Sequence, residues 1–426
     1  MSASDRVWPV VATAGGGFVA GYSIRESLGQ DVFHIESTDK WYAAFVTAQW
    51  AGSLAVLAAV LVLAVVHRRR PRMSAAVAAV LGSLLVALPS FAPIAANQAV
   101  TTNALGAGAL VGVCGFIAGG RRLPAAGIAV GLLGSMMFYG AISALRGPRE
   151  GRWMDTLGPE YVASTVPVVV LLVLTALLVV AVRRAPAGRF ESSDAAAALV
   201  LGFVCLIVYT YLGNTTSTAA AWTSAVAIVA FLTYGVALDL GGRDGRYVMS
   251  GLAIAASGVN TLGWSDASWW VSAVAAVLFV GAVGVGLRRD LTTVGCALLA
   301  VATATGLLPI GDGSVNVVGT VAYCTLYPVA IGFIVGSVQS TRTVASTIAP
   351  LVPFALTLFW VSAPVPPREF GWTDGTPDDY VRPIVALYSP LPVGVVVAVI
   401  VIVACIFATR SDTRVHHDRV SDWSGP

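Results

Sequence analysis

The sequence predicts an all-α polytopic membrane protein with about fourteen transmembrane helices, arranged as two parallel six-helix repeats plus a two-helix insert. Three observations lead to this prediction. Hydrophobic residues make up 57% of the chain and charged residues 11%, with a mean hydropathy of +0.81, whereas soluble domains carry about 25% charged residues. Apolar runs long enough to cross a bilayer as helices recur along the whole chain. In addition, one polar segment occurs twice.

The apolar runs give the predicted helices in chain order. The first six lie at about 9–28, 41–66, 73–96, 99–119, 123–145 and 161–182. Two more lie at about 195–213 and 217–238. The last six lie at about 247–264, 268–287, 293–310, 315–337, 344–364 and 383–409. No stretch between these runs is long enough to form a soluble domain.

Basic residues orient the predicted helices across the membrane. The net charge of +3 is spread over their loops, so it forms no nucleic-acid patch. The positive-inside rule makes the loops after the even-numbered helices cytoplasmic, together with both termini, and the default location is the plasma (inner) membrane. The first run is too rich in glycine for a cleaved signal peptide. The arginines after the even-numbered helices are Arg68, Arg69, Arg70, Arg72, Arg121, Arg122, Arg183, Arg184, Arg243, Arg246, Arg288, Arg289, Arg342, Arg410 and Arg414.

The repeated segment indicates that the chain consists of two related halves. Residues 148–162 and 367–381 share seven of fifteen positions at an offset of 219. Both copies follow odd-numbered helices and are expected to face outward. An even number of crossings per repeat gives the halves the same orientation. The predicted division is an N-terminal half (1–190), a linker of two helices (191–243), a C-terminal half (244–410) and a cytoplasmic tail (411–426).

Each copy of the repeated segment keeps two acidic residues, an arginine and a tryptophan. Charge-assisted pairs within each loop would hold it over the bundle, and this structural role is favoured. The alternative is recognition, because the indole faces and carboxylates suit a sugar or a polar head group. The residues concerned are Arg149, Glu150, Trp153 and Asp155 in the first copy and Arg368, Glu369, Trp372 and Asp374 in the second.

Ionisable residues inside the predicted helices are rare, and they are the first candidates for a functional site. Arg25 and Glu26 follow the first apolar run without a break in the helical pattern, and Asp31 lies just beyond. If the first helix extends through Leu28, the pair lies in its outer third and responds to a solute or a proton. If the helix ends near Ile24, both charges simply flank the membrane. Neutral polar candidates within the helices are Asn97, Gln98, Asn103, Asn260, Asn316, Tyr323 and Tyr327.

Six plus six helices in parallel halves, with two helices between them, resemble the fourteen-helix branch of the major facilitator superfamily of secondary transporters. The resemblance covers nearly the whole chain and includes Gly106, Gly108 and Gly112, whose spacing suits close packing of the fourth helix. The basic loop at 67–72 lacks the glycines and the acidic residue usual in that family, and the fifth helix lacks the Gly-Pro pair. The resemblance implies a transporter of an amphipathic or neutral small solute, with its site near the midplane between the halves.

Other classes of function have less support in the sequence. A membrane enzyme acting on lipid-linked sugar could use acidic residues of the first outer loop, such as Glu36 and Asp39, but the chain has no phosphate loop, catalytic triad or metal motif. A non-transporting scaffold of an envelope or secretion assembly is a further alternative, and protein partners are possible. We expect lipid and a small solute as partners. We expect no cofactor or metal, because the cysteines all lie singly within predicted helices, at Cys114, Cys205, Cys296, Cys324 and Cys405.

Overall fold

The computed structural model confirms an all-α polytopic membrane protein. It describes residues 3–28, 50–68, 70–92, 96–145, 166–186, 188, 190–214, 219–259, 269–308, 317–359 and 392–421. Within these residues, eight helices are long and apolar enough to cross a membrane, and four shorter apolar helical segments accompany them. Each of the fourteen predicted runs contains a helical segment of the structure.

The first seven helices are α1 Ala3–Leu28, α2 Ala51–Arg68, α3 Pro71–Phe91, α4 Ala96–Ala118, α5 Arg122–Leu145, α6 Val168–Arg184 and α7 Ser192–Asn214. The next five are α8 Ala219–Leu240, α9 Gly242–Ser257, α10 Trp269–Gly286, α11 Thr292–Ala304 and α12 Val317–Ser337. The last three are α13 Thr343–Ile348, α14 Val352–Ala355 and α15 Pro392–Ser421.

The thirteenth predicted helix is wrong in one respect, because the structure breaks it into short pieces. α13 is followed by a 3₁₀ turn at Ala349–Leu351, then by α14 and a second 3₁₀ turn at Thr357–Phe359. Proline has no N–H to donate and crowds the preceding turn, and Pro350 and Pro353 fall within this stretch. We call residues 343–359 the interrupted segment. Every residue in it is buried, so it crosses the interior of the bundle.

Apolar side chains cover most faces of the helices, as expected for helices surrounded partly by lipid. Phe231 on α8 is 75% exposed and Val277 on α10 is 72% exposed. Helices that pack inside the bundle approach each other at small residues instead. A Cβ added at Gly106 would lie 2.7 Å from the carbonyl oxygen of Gly82, so α3 and α4 touch backbone to backbone. The close packing predicted for the fourth helix is therefore confirmed.

Equivalent helices make equivalent contacts in the two halves. α2 packs on α4 as α10 packs on α12, and α3 packs on α4 as α11 packs on α12. α1 and α3 both contact α6, and α9 and α11 both contact α15 in the same way. Between the halves, α5 contacts α10 and α12, whereas the interrupted segment contacts α2 and α4. The fifth element of each half therefore lies against the second and fourth helices of the other half.

The turns that carry the arginines meet at one end of the bundle, which we call the basic end. The guanidinium of Arg72, after α2, donates to the carbonyl of Ala185, after α6, at 3.5 Å. Arg246, at the start of α9, pairs with Asp290, after α10, at 3.2 Å. A Cβ added at Gly120, after α4, would collide with the carbonyl oxygen of the Thr341 turn that follows α12. α1 and α5 carry their C-terminal ends away from this face.

Candidate functional site

Arg25 lies inside the first helix. α1 continues through Leu28, so the prediction in which the helix extends past Ile24 matches the structure. The Arg25 guanidinium carbon is 5.6 Å from the centre of the Tyr139 ring on α5. At this separation a guanidinium is attracted to the negative face of an aromatic ring. The cation is therefore held between α1 and α5, away from the basic end.

Aromatic rings extend the Arg25 contact into a cluster. Tyr22 lies 5.1 Å from Tyr139, centre to centre, and Phe18 lies 6.5 Å from Tyr22. Phe18, Tyr22 and Arg25 share one face of α1 because they are four and three residues apart. Tyr22 is 3% exposed. We call Phe18, Tyr22, Arg25 and Tyr139 the aromatic cluster, which combines three aromatic rings with one cation.

The aromatic cluster lies beside the interface between the halves. Gly21 on α1 is in close contact with α5, because an added Cβ would collide with the Ser135 hydroxyl oxygen. The same Cβ would lie 3.1 Å from the end of the Phe354 ring, which belongs to α14. The interrupted segment therefore contacts α1 at the residue that precedes Tyr22.

Asn103 is the neutral candidate that the structure places in an unusual environment. It lies on α4 and is 5% exposed. Its side-chain Oδ1 has no hydrogen-bond partner among the described residues. A buried acceptor without a donor costs about 1–3 kcal/mol. The position therefore suits a water molecule or a solute that donates a hydrogen bond.

The remaining predicted site residues are placed only in part. Gln98 on α4 is partly buried, and Tyr327 on α12 is 1% exposed. Three candidates lie within helices while their side chains lie outside the described residues, namely Glu26, Asn97 and Tyr323. The candidates that lie wholly outside the described residues are Asp31, Asn260, Asn316, Arg149, Glu150, Trp153, Asp155, Arg368, Glu369, Trp372 and Asp374.

An ion cluster at the basic end was not predicted from the sequence. The Arg342 side chain, just before α13, is 3.0 Å from Asp194 in the first turn of α7 and 3.2 Å from Glu191, which directly precedes α7. It is also 3.1 Å from Asp244 at the start of α9. The Asp194 side chain is 2% exposed. We call these four residues the Arg342 cluster, in which one cation faces three carboxylates.

The excess of acidic groups changes the proton affinities in the Arg342 cluster. Burial raises the pKa of Glu191, and the neighbouring Asp194 carboxylate raises it further, against the opposing effect of Arg342. Burial alone would lower the pKa of Arg342, but the carboxylates of Asp194, Glu191 and Asp244 outweigh it and raise that pKa. The cluster therefore takes up a proton on Glu191 more readily than an isolated glutamate would.

The interrupted segment contacts its neighbours at glycines. A Cβ added at Gly52 on α2 would collide with the carbonyl oxygen of Phe354, and one added at Gly115 on α4 would collide with the Thr347 hydroxyl. On the other side, a Cβ at Gly251 of α9 would lie 2.9 Å from the Ala349 carbonyl oxygen. The segment is therefore enclosed by helices of both halves at backbone distance.

Solved structures resemble this chain, although no protein-family model and no curated protein matches it. The structure of the major facilitator superfamily proton:xylose symporter XylE bound to 6-bromo-6-deoxy-D-glucose aligns with a TM-score of 0.51 at 14% identity, covering 96% of this chain and 95% of that chain. A double-tryptophan variant of XylE aligns with a TM-score of 0.43 at 14% identity over 96% of each chain. The first alignment shows that this chain has a major-facilitator-like fold, as its helix plan predicts.

Proposed function

We propose that the protein is a secondary membrane transporter that moves an amphipathic or neutral small solute by alternating access between two pseudo-symmetric halves. The observation that carries the proposal is the reciprocal packing across the interface. α5 lies on α10 and α12, while the interrupted segment lies on α2 and α4. Two bodies that contact through such equivalent surfaces can rock so that one end closes while the other opens. The likeness of the fold to XylE supports this architecture.

The two halves in this proposal are residues 1–190 and 244–410, with the insert at 191–243 between them. The matched contacts of α2 with α4 and of α10 with α12 support the division. We assign the basic end to the cytoplasm, because arginine-rich loops stay on that side of the inner membrane. Both termini then lie inside. We propose the opposite side of the membrane for the repeated segments at 148–162 and 367–381, which lie outside the described residues.

The solute site in this proposal is the aromatic cluster, extended toward Asn103. Aromatic faces bind the apolar surface of an amphipathic molecule or the C–H face of a sugar. The Arg25 guanidinium can donate hydrogen bonds to hydroxyl or carbonyl oxygens, and it cannot be deprotonated in a protein. Phe354 of the interrupted segment lies against Gly21, the neighbour of Tyr22 in α1. Binding would therefore be coupled to the packing between the halves.

Flux into proteoliposomes tests the proposal. The native chain is compared with Arg25→Ala and Tyr139→Leu against a panel of amphipathic compounds and sugars. Loss of a desolvated cation–π contact and of donors to the solute should lower the initial rate roughly tenfold. Tyr234→Leu is the matched control, because Tyr234 lies 39% exposed on α8, away from the aromatic cluster. Its rate should equal that of the native chain.

Two further arms of the same assay define the mechanism. Glu26→Gln with and without a pH gradient separates proton-coupled from uncoupled transport, because Glu26 adjoins Arg25 in α1. Proton coupling predicts that the gradient drives flux only when Glu26 is intact. A folded native protein that moves no compound of the panel would contradict a transporter and favour a scaffold or an enzyme.

A further inference from the structure

The break in the interrupted segment leaves backbone groups without helical partners. Leu356 departs from helical geometry, with φ −94° and ψ 47° at the end of α14. Inside a membrane protein every backbone N–H and C=O needs a partner, because lipid supplies none. The carbonyl of Ala355 and both backbone groups of Leu358 lie at this break. The segment can cross the bundle only if other elements satisfy these groups.

The two-helix insert supplies those partners. The Tyr209 hydroxyl on α7 donates to the Ala355 carbonyl at 2.6 Å and accepts from the Leu358 N–H at 3.2 Å. The indole N–H of Trp222 on α8 donates to the Leu358 carbonyl at 2.9 Å. Tyr209 is 1% exposed and Trp222 is fully buried. Two insert side chains therefore replace three backbone partners.

The insert also holds the opposite end of the segment. Arg342 directly precedes α13 and pairs with Glu191 and Asp194, which open α7. The α7 helix thus reaches both ends of the segment, with Asp194 at one end and Tyr209 at the other. Four turns of helix separate these two residues.

We propose that the insert, α7 with α8, is a positioning element that clamps the interrupted segment at both ends and presses it against the N-terminal half. Tyr209, Trp222 and Asp194 are positioning residues, since they act through the segment and not on a solute. The segment faces Gly52 and Gly115 across the interface, so the clamp stabilises the conformation in which these surfaces touch. This inference rests on the proposed function, in which that interface opens and closes.

Hydrogen exchange measured by mass spectrometry tests the clamp on the full-length protein in lipid nanodiscs. Tyr209→Phe removes one hydroxyl and keeps the ring, whereas Trp222→Phe removes the indole N–H together with one of the two fused rings. Each should raise the exchange rate of amides in 343–359 roughly tenfold, as the loss of a buried hydrogen bond to the backbone would. Exchange in α3 should stay unchanged. Tyr234→Phe on α8 is the matched control and should leave the segment as in the native chain.

Each outcome decides the inference separately from transport. Selective acceleration of exchange in 343–359 supports the clamp even if no solute of the flux panel is moved. Exchange in Tyr209→Phe and Trp222→Phe equal to that of Tyr234→Phe would overturn it, as would equal acceleration of exchange in 343–359 and in α3. If Tyr209→Phe does not fold, Asp194→Asn at the other end of the segment gives the same decision. Failure of the flux assay alone overturns only the transporter.

Discussion

Gly52→Ala should weaken the contact between the two halves. The added Cβ would collide with the Phe354 carbonyl oxygen, and a backbone atom cannot rotate away as a side chain can. α2 or α14 must shift to relieve the overlap, and the whole interrupted segment is packed too tightly to yield without loss of contacts. Overpacking of this kind costs about 1–3 kcal/mol. The methyl group gains about 0.5–1 kcal/mol of helix stability relative to glycine.

The net loss is therefore at most about 2.5 kcal/mol and centres on about 1 kcal/mol, which lowers the population of this conformation by a factor of about five. Thermal unfolding of the purified protein in nanodiscs measures the loss of stability. Gly281→Ala is the matched control, because Gly281 on α10 has nothing within 4 Å of its added Cβ. That change keeps only the gain in helix stability, so its midpoint should rise slightly.

Equal midpoints for Gly52→Ala and Gly281→Ala would refute this reasoning. Such a result would mean that α2 does not touch the interrupted segment in the bilayer. A lower midpoint for Gly52→Ala together with faster hydrogen exchange in 343–359 would place the disturbance at the interface itself.

Three further predictions concern separate sites. Asn103→Leu should keep the free energy of unfolding or raise it by about 1 kcal/mol at most, because it removes an unsatisfied buried acceptor. The transport rate should fall in this variant. A lower free energy of unfolding would show that Asn103 has an internal partner. Because the folded pKa of Glu191 is raised, stability should increase as the pH falls through the window just above the ordinary glutamate pKa, and Glu191→Gln should remove that increase. The Thr292 hydrogen bonds and Arg246 outweigh partial burial and lower the pKa of Asp290, so its stabilisation is present above the ordinary aspartate pKa and is lost as the pH falls through the lower folded value. Asp290→Asn should remove this acid-sensitive contribution to stability, which is less than about 1 kcal/mol because the ion pair is exposed. A pH profile of stability that does not change in this variant would contradict the prediction.

Much of the fold could be predicted because lipid imposes a simple rule on the sequence. Each span must be apolar for about twenty residues, and arginine marks the side on which it ends. The interrupted segment escaped this rule, since single prolines are tolerated in membrane helices when neighbours satisfy the backbone. Here the neighbours are Tyr209 and Trp222, which lie 146 and 136 residues from the carbonyls they cap. No local pattern connects them to Pro350 and Pro353.

The candidate site was predicted through the charge of Arg25 and the polarity of Asn103. Arg25 was visible because cations are rare within membrane helices, whereas Tyr139 was not singled out from the sequence. The Arg342 cluster was missed for a different reason. Arginine after an even-numbered helix is the usual topology signal, and its partner Asp194 is 148 residues away in the sequence. The aspartate that opens α7 gave the one available signal, as an acidic residue at the margin of an apolar run.

The distance between the two halves at the basic end tests the central claim most directly. Spin labels introduced by Arg183→Cys after α6 and Arg289→Cys after α10, in a chain otherwise free of cysteine, report that distance by pulsed electron resonance in nanodiscs. Both native side chains are exposed, so the labels should not disturb packing. The account predicts two distance populations whose ratio changes with pH or with added solute. A single population, unchanged under every condition, would contradict alternating access.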